Sequence, residues 1–190
     1  MAPKSKGNKR ELTRARLLEA AGHVIRERGF YDTTLEAVAQ RAGMTRGAIY
    51  GNFQDKEELF SAVAETRWRP IVPLRHGSTL SEHLGLVADA VVAAIPARRA
   101  QALGALSFQI YALTNERMRT RMADANAELY RRAAERLRQA IPLDRLPMPP
   151  DEFVRVLHAL TDGLLLLRFL QPDLVTDALI RKAFASLANA

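Results

Sequence analysis

The stretch that decides the fold is TTLEAVAQRAGMTRGAIYGNF, residues 33–53. Its first half repeats apolar residues at the spacing of one buried helix face, namely Leu35, Val38 and Ala39. Gly43 then permits a sharp turn, and Thr45 offers an N-cap to a second, short helix. That helix buries Ile49 and Phe53, four residues apart, and leaves its opposite face free. This order predicts a helix-turn-helix, whose second helix can lie in the major groove of DNA.

The residues before this stretch predict a supporting helix and a basic arm. An apolar stripe repeats at helical spacing from about Glu11 or Thr13 to Arg28, and Phe30 follows where it can fill a small core. Residues 1–10 are basic and too poor in apolar side chains to order themselves. We therefore predict a disordered arm, which either enters a minor groove or only adds affinity for phosphates.

At these residues the chain resembles the N-terminal domain of the TetR (tetracycline-repressor) family of bacterial transcription regulators. The resemblance rests on six matching segments: residues 13–21, Gly29-Phe30, Thr33-Thr34, Ile49-Tyr50, Phe53 and residues 55–60. It implies an all-α homodimer that binds double-stranded DNA through the second helix and binds a small molecule in a second, helical domain. The combination of these segments is more specific than a helix-turn-helix alone.

The resemblance also implies which residues meet DNA: Thr34, Thr45, Arg46, Gly47, Ala48, Tyr50, Asn52 and Lys56. In this scheme residues 46–48 meet base edges, whereas Thr34, Tyr50 and Asn52 meet phosphates and Lys56 clamps the start of the next helix to the DNA backbone. A guanidinium such as that of Arg46 can bond guanine O6 and N7, although a phosphate contact without sequence preference is the alternative. Glycines at 47 and 51 weaken this helix, each by about 1 kcal/mol relative to alanine.

The remainder of the chain carries long helical patterns interrupted by proline and polar joints at Pro96, Thr114-Asn115, 142–150 and Pro172. A further helix, capped by Asp55, is expected before a break between domains at residues 71–79. In all, the pattern predicts about nine helices. The five in the second half are expected at about 80–95, 97–114, 116–141, 151–170 and 174–187. The predicted organisation is a disordered arm at 1–10, a helix-turn-helix domain at 11–54, and a helical effector-binding and dimerisation domain at 55–190.

The resemblance places an effector pocket in the second domain, and the residues available to line it are mostly apolar. The candidates are Arg67, Trp68, Val87, Leu103, Leu106, Gln109, Ile110, Tyr111, Met118, Met122, Leu157, His158 and Thr161. Such a lining suits a small hydrophobic ligand with one or two hydrogen-bonding groups. Ordinary core packing is the alternative for each of these residues.

The last two helices are expected to form the dimer interface. Residues 164–167 are four leucines, which put apolar side chains all round one helix, more than a single contact face needs. The candidate interface residues are Leu164, Leu165, Leu166, Arg168, Phe169, Leu179 and Phe184. A central helix buried within a monomer is the alternative.

Composition narrows the remaining classes of function. The 190 residues carry a formal net charge of +7 and contain no cysteine, which suits a polyanionic partner and excludes disulfides and thiolate metal sites. Histidines lack the spacing of metal ligands, and Ser107, His158 and Asp162 lack the elbow that a hydrolase triad requires. The run of leucines at residues 164–167 is too short to span a bilayer. We therefore expect a cytoplasmic, non-enzymatic protein without metal or cofactor.

These observations predict a DNA-binding regulator, most simply a homodimeric repressor that binds a pseudopalindromic operator and is released by a small hydrophobic effector. The alternative is a helical ligand-binding or scaffolding protein that does not bind DNA sequence-specifically. Preference for one DNA sequence at physiological salt distinguishes the two, since any basic protein binds DNA at low salt.

Overall fold

The structure is a computed structural model that describes residues 6–67 and 79–188, with side chains described for 9–64 and 79–188. Throughout these ranges the chain is helical and contains no strand, which confirms the predicted all-α class. The helices are α1 (Lys6–Arg28), α2 (Leu35–Arg41), α3 (Arg46–Tyr50), α4 (Lys56–Arg67), α5 (Leu80–Thr114), α6 (Glu116–Ala140), α7 (Pro150–Leu170) and α8 (Asp177–Ser186), with a 3-10 turn at Leu143–Arg145.

Pro96 does not end a helix, so the predicted joint there is wrong. α5 continues through it without interruption, which leaves eight α-helices in the described ranges rather than about nine. Proline removes only one backbone donor from a helix, and the neighbouring Ala93, Ala94 and Ala97 are the strongest helix formers. The other predicted joint within this region, at Asn115, is confirmed, because Asn115 Oδ1 accepts from Met118 N at 2.9 Å and caps α6.

Several helix ends differ from the sequence pattern. α1 begins at Lys6, so residues 6–10 are helical where a disordered arm was expected, while residues 1–5 lie outside the described part. α3 ends at Tyr50 rather than at Phe53, and α8 begins at Asp177, three residues later than predicted. Most of the predicted break between domains, at residues 71–79, also lies outside the described residues.

The chain divides into two compact units. The first unit comprises residues 1–69 and 100–119, and the second comprises residues 70–99 and 120–190. The end of α5 and the start of α6 therefore group with the helix-turn-helix rather than with the remaining helices. The sequence placed the domain boundary at residue 54 and gave no indication of this grouping.

The first unit is built around a cluster of aromatic rings. Phe30 is fully buried, and its ring centroid lies 4.7 Å from that of Phe60 and 4.4 Å from that of Tyr111. Phe60 and Phe108 stack at 4.5 Å. A side chain also fixes the backbone here, since Ser107 Oγ accepts from Phe30 N at 2.7 Å. Rings in such edge and offset arrangements attract one another beyond the effect of their buried area.

Close packing of α1 against α5 in the same unit depends on Gly104. A β-carbon at this position would overlap the Ile25 side chain, so only glycine lets the two backbones approach this closely. Other buried residues of the first unit are Leu17, Ala21, Val24, Ile25, Leu59, Val63, Ala112 and Met118.

The second unit has a largely aliphatic core. Its most buried side chains are Leu84, Val91, Leu137, Ile141, Phe153, Ile180 and Phe184. Ion pairs lie at its surface, where Arg181 bonds Asp89 at 2.8 Å and Arg138 bonds Asp151 at 2.5 Å. These helices are thus joined chiefly by apolar burial, because exposed ion pairs contribute little.

α5 is long and apolar enough to cross a membrane by length and composition alone. The core helix of a soluble protein meets the same criterion. The apolar side chains of α5 are only partly buried: Leu80, Leu84, Val87, Ala88 and Val91 are buried in the second unit and Phe108 and Ala112 in the first, whereas Leu103, Ile110 and Leu113 are exposed.

Candidate nucleic-acid interface

Local side-chain bonds fix the turn between α2 and α3. Thr34 rather than Thr33 caps α2, since its Oγ1 accepts from Ala37 N at 3.1 Å, whereas Thr33 is buried. Gly43 has a φ of 64°, in the left-handed region that favours glycine, and Thr45 Oγ1 accepts from Ala48 N at 3.3 Å. The predicted turn glycine and the predicted N-cap of the second helix are both confirmed.

α3 is held by its inner face and exposes its outer face. Ile49 and Phe53 are buried, at 0% and 1% exposure, as the sequence predicted. The Arg14 guanidinium lies 4.3 Å from the centroid of the Phe53 ring and donates to Asn52 O at 2.9 Å, which fixes the C-terminal end of α3. The outer face consists of Arg46, Gly47, Tyr50 and Gly51, all exposed.

A carboxylate from α2 joins the two long side chains of this outer face. Tyr50 Oη donates to Glu36 Oε1 at 2.8 Å, and Arg46 Nη2 lies 3.0 Å from the same oxygen. The Tyr50 hydroxyl, Glu36's own backbone amide and the Arg46 charge lower the pKa of Glu36 against the opposing effect of burial. Sequence analysis missed Glu36, because an acidic residue in the first turn of a helix usually needs no explanation beyond the helix dipole.

Two predicted DNA contacts have partners within the protein. Lys56 Nζ donates to the carbonyl oxygens of Phe30 and Tyr31 at 3.0 and 3.1 Å, and burial lowers the pKa of its ammonium. Asn52 Nδ2 donates to Ala48 O at 2.8 Å, while its Oδ1 is buried and has no hydrogen-bond partner. In the free protein these two side chains therefore fasten the turn after α1 and the end of α3. Their contact with phosphates stays a prediction.

The small residues of α3 leave room above it. A β-carbon on Gly47 would meet only Thr45 Oγ1 at 3.8 Å, an ordinary contact, so packing does not require glycine there. Ala48 is partly exposed beside it. A DNA backbone or base edge can thus approach the helix backbone closely between Arg46 and Tyr50.

The residues predicted for an effector pocket are divided between the two units. The first unit holds Leu103, Leu106, Gln109, Ile110, Tyr111 and Met118, and the second holds Val87, Met122, Leu157, His158 and Thr161. Their exposures differ widely, since Val87 and Met118 are buried whereas Leu103 and Ile110 are more than half exposed. Trp68 and the side chain of Arg67 lie outside the described part of the structure.

Two of the pocket candidates take part in hydrogen bonds within their own units. Tyr111 Oη donates to Glu57 Oε1 at 2.6 Å and accepts from Asn115 Nδ2 at 2.8 Å. In the second unit His158 Nδ1 lies 2.6 Å from Tyr130 Oη, and its Nε2 lies 3.3 Å from Asp162 Oδ2. Both side chains are bonded to neighbours within their own unit. This geometry does not by itself show that either one binds a ligand.

The predicted dimer residues separate into buried and exposed sets. Leu165 and Phe184 are 6% and 0% exposed and belong to the core of the second unit, with Leu164 and Phe169 packed partly against it. Arg168 donates to the carbonyl oxygens of Pro172 and Val175 and pairs with Asp177, so it fixes the α7–α8 connection. The exposed large apolar residues of α7, α8 and their connection are Val156, Leu166, Leu167, Leu170, Leu174 and Leu179. Sequence periodicity alone did not separate the two sets.

No catalytic or metal site is evident in the described residues. They contain no cluster of three or more His, Asp or Glu side chains able to hold a metal ion. Ser107 accepts from Phe30 N in the first unit, and His158 pairs with Asp162 in the second.

A short capped helix, fixed on its inner face and exposed on its outer face after a glycine turn, defines a DNA-binding protein of the helix-turn-helix class. Comparison with known proteins gives the family. Residues 17–63 match the bacterial regulatory proteins of the tetR family, and residues 81–190, more than half of the chain, match the C-terminal domain of BetI-type transcriptional repressors. The chain therefore belongs to the TetR family of transcription regulators, whose members are not enzymes.

Individual relatives agree with this assignment. The transcriptional regulator SrpR of Pseudomonas putida is 43% identical over 61 residues, which are 32% of this chain and 29% of SrpR. BetI of Serratia proteamaculans (strain 568) is 30% identical over 128 residues, 67% of this chain and 60% of BetI. The matched region thus spans less than two thirds of either relative. The structure of NalD, the secondary repressor of the MexAB-OprM multidrug efflux pump in Pseudomonas aeruginosa, aligns with a TM-score of 0.61, 28% identity and 94% coverage of both chains.

Proposed function

We propose that this protein is a homodimeric, cytoplasmic transcription repressor that binds a pseudopalindromic DNA operator through α3 and releases it on binding a small hydrophobic effector. The observation that carries the proposal is the outer face of α3. Arg46, whose side chain is 74% exposed, and Tyr50 project from a helix whose inner face is fixed by Ile49 and Phe53. Rigid support of an exposed polar face is what sequence recognition in a groove requires.

The chemistry of the exposed face suits DNA. In the proposed complex Arg46 bonds a guanine edge and Tyr50 donates its hydroxyl to a phosphate. Gly47 and Ala48 allow the helix backbone to lie close to the bases, so that DNA shape contributes to the choice of site. The net charge of +7 favours association with any DNA and does not select a sequence.

A dimer would present two copies of α3, one to each half-site of the operator. The exposed leucines of α7, α8 and their connection form an apolar surface that supports self-association through this region. Two copies of α3 placed about 34 Å apart would match successive major grooves on one side of the DNA, and a two-fold dimer then requires a two-fold operator.

The proposed effector acts by shifting a population of conformations. It must bind the conformation that cannot engage DNA more tightly than the one that can, and the shift is limited to that difference in affinity. NalD is named as a repressor, and this supports a repressor here. The apolar character of the pocket candidates Val87 and Leu157, both in the second unit, supports a hydrophobic ligand.

Selection from a genomic library tests the proposal directly. The protein is incubated with sheared DNA of its source genome at about 0.15 M salt, and the retained fragments are sequenced. We expect a few sites that share a two-fold symmetric motif, and Arg46→Ala should relax the preference at one base pair of each half-site. Arg131→Ala is the matched control, because Arg131 is an exposed, carboxylate-paired arginine of the second unit. Uniform retention by the wild type would instead favour a scaffold without sequence-specific binding.

A further inference from the structure

One carboxylate oxygen holds both of the long side chains that α3 would present to DNA. Glu36 Oε1 accepts from Tyr50 Oη at 2.8 Å and pairs with Arg46 Nη2 at 3.0 Å. The Arg46 guanidinium also lies 5.7 Å from the centroid of the Tyr50 ring, so the three side chains form one group. Glu36 is half-exposed, and the Tyr50 hydroxyl and the Arg46 charge lower the pKa of its carboxyl.

A DNA phosphate offers the same chemistry as this carboxylate. Both are anionic oxygen acceptors, and both bind a guanidinium or a phenol through charge-assisted hydrogen bonds. The single hydroxyl proton of Tyr50 can go to a phosphate only by leaving Glu36. A phosphate that bonds the remaining N–H groups of Arg46 lies close to the Glu36 charge and is repelled by it. The obstacle is greatest where Arg46 has only a phosphate to bond, because a guanine edge is uncharged and is not repelled by Glu36.

We propose that Glu36 is a specificity-determining residue that acts through Arg46 and Tyr50. It competes with phosphates for these two side chains, and so disfavours DNA that offers phosphates alone. An operator overcomes the competition because base edges add bonds that arbitrary DNA lacks. Glu36 would thus act by weakening binding to non-operator DNA rather than by contacting the operator. The inference rests on the proposed use of α3 in DNA binding.

The geometry fits a competitor better than a permanent structural bond. The Arg46 side chain is 74% exposed and that of Glu36 is 44% exposed, so water and ions reach the pair and it can open readily. Glu36 also lies in the first turn of α2, where its negative charge stabilises the helix by interacting with the helix dipole. A test must therefore separate effects on DNA binding from effects on helix stability.

The test measures binding to a 30-base-pair duplex of random sequence in 50–200 mM KCl. Glu36→Gln keeps an acceptor for Tyr50 but removes the charge. We expect about three- to tenfold tighter binding at 0.1 M KCl, and a slope of log K against log salt that is steeper by up to about 0.9, the value for one additional phosphate contact. Preference for sites selected from the genome should fall by a similar factor.

Glu27→Gln is the matched control. Glu27 pairs with Arg41 in the same unit, and its side chain is 46% exposed, so the substitution makes the same change of net charge beside a different arginine. We expect its effect on binding to be less than about twofold, because Glu27 pairs with Arg41 of α2 rather than with a side chain of α3. An equal effect of both substitutions would show that only net charge matters and would overturn the proposal.

A double-substitution cycle decides whether Glu36 acts through Arg46. In an Arg46→Gln background, Glu36→Gln should lose more than half of its effect on log K. Thermal unfolding of each variant accounts for any loss of α2 stability. Unchanged or weaker binding by Glu36→Gln overturns the inference while leaving the proposed function intact. If Arg46→Gln and Tyr50→Phe each bind DNA with the same affinity as the wild-type protein, both the proposed function and this inference fail.

Discussion

The two units of this molecule differ in what stabilises them and in what they leave exposed. The first unit encloses Phe30 in an aromatic cluster and exposes a polar face on α3. The second unit has an aliphatic core and exposes leucines at the end of α7 and after it, such as Leu170 at 67% and Leu174 at 72%. The first unit also exposes apolar side chains, on its part of α5, such as Leu113 at 79%. A buried centre with a polar outer face suits recognition through hydrogen bonds. An apolar surface left in water favours contact with another protein surface.

The largest effect should follow removal of the ring at the centre of the first unit. Phe30 is fully buried and contacts the rings of Phe60, Phe108 and Tyr111, so Phe30→Ala leaves a cavity. We expect a loss of about 3 to 5 kcal/mol in the free energy of unfolding, measured by urea titration. Tyr31→Ala is the control, because Tyr31 is 52% exposed, and it should cost less than about 1 kcal/mol. Similar losses for both would contradict a core centred on Phe30.

The next effect distinguishes core from contact surface in the second unit. Leu166 is 36% exposed, whereas its neighbour Leu165 is 6% exposed and packs in the core. Leu166→Glu should weaken dimerisation at least about a hundredfold, roughly 2.8 kcal/mol, while the monomer stays folded, because the charge would be buried only in the dimer. Leu165→Glu should instead lower the free energy of unfolding.

Sedimentation velocity over a range of protein concentrations measures the first effect, and circular dichroism with urea measures the second. Leu84→Glu, on α5 in the same core, is a second control that should behave as Leu165→Glu does. A stable dimer of Leu166→Glu would place the interface elsewhere on the protein.

The distance along the chain between two contacting residues decides whether the sequence could predict their contact. The turn between α2 and α3 was predictable because each signal acts within a few residues: Gly43 adopts a positive φ, and Thr45 caps an amide three positions later. Asp55 likewise caps α4 by accepting from Glu58 N at 2.7 Å. Family resemblance added the expected DNA contacts of the exposed face, which periodicity alone could not provide.

Contacts between distant residues could not be predicted in this way. Ser107 bonds the amide of Phe30, 77 positions earlier in the chain, and this contact helps to group the end of α5 with the helix-turn-helix. Four consecutive leucines at 164–167 carry no signal that separates buried Leu165 from exposed Leu166. Glu36 needed the structure too, because its role depends on two side chains of another helix.

The smallest effect concerns pH and should arise in the second unit. The hydrogen bond from His158 to Asp162 raises the pKa of His158, although burial and Arg98 oppose it. The folded state therefore holds this proton more tightly than the unfolded chain does. The resulting stability is fully present below about pH 6.5 and is lost as pH rises through the folded-state pKa. His83 acts oppositely, because burial lowers its pKa, so its contribution is present above about pH 6.5 and is lost in acid.

Urea midpoints between pH 5.5 and 8.5 measure this balance. Asp162→Asn should remove the part of the decline with rising pH that belongs to His158, an effect below about 1 kcal/mol because both side chains are partly exposed. Asp151→Asn is matched to it, since Asp151 is equally exposed but pairs with Arg138 rather than with a histidine. It should lower stability at every pH in this range by a similar amount. A pH profile changed equally by both substitutions would mean that the charge of the unit, rather than the His158 pair, sets the dependence.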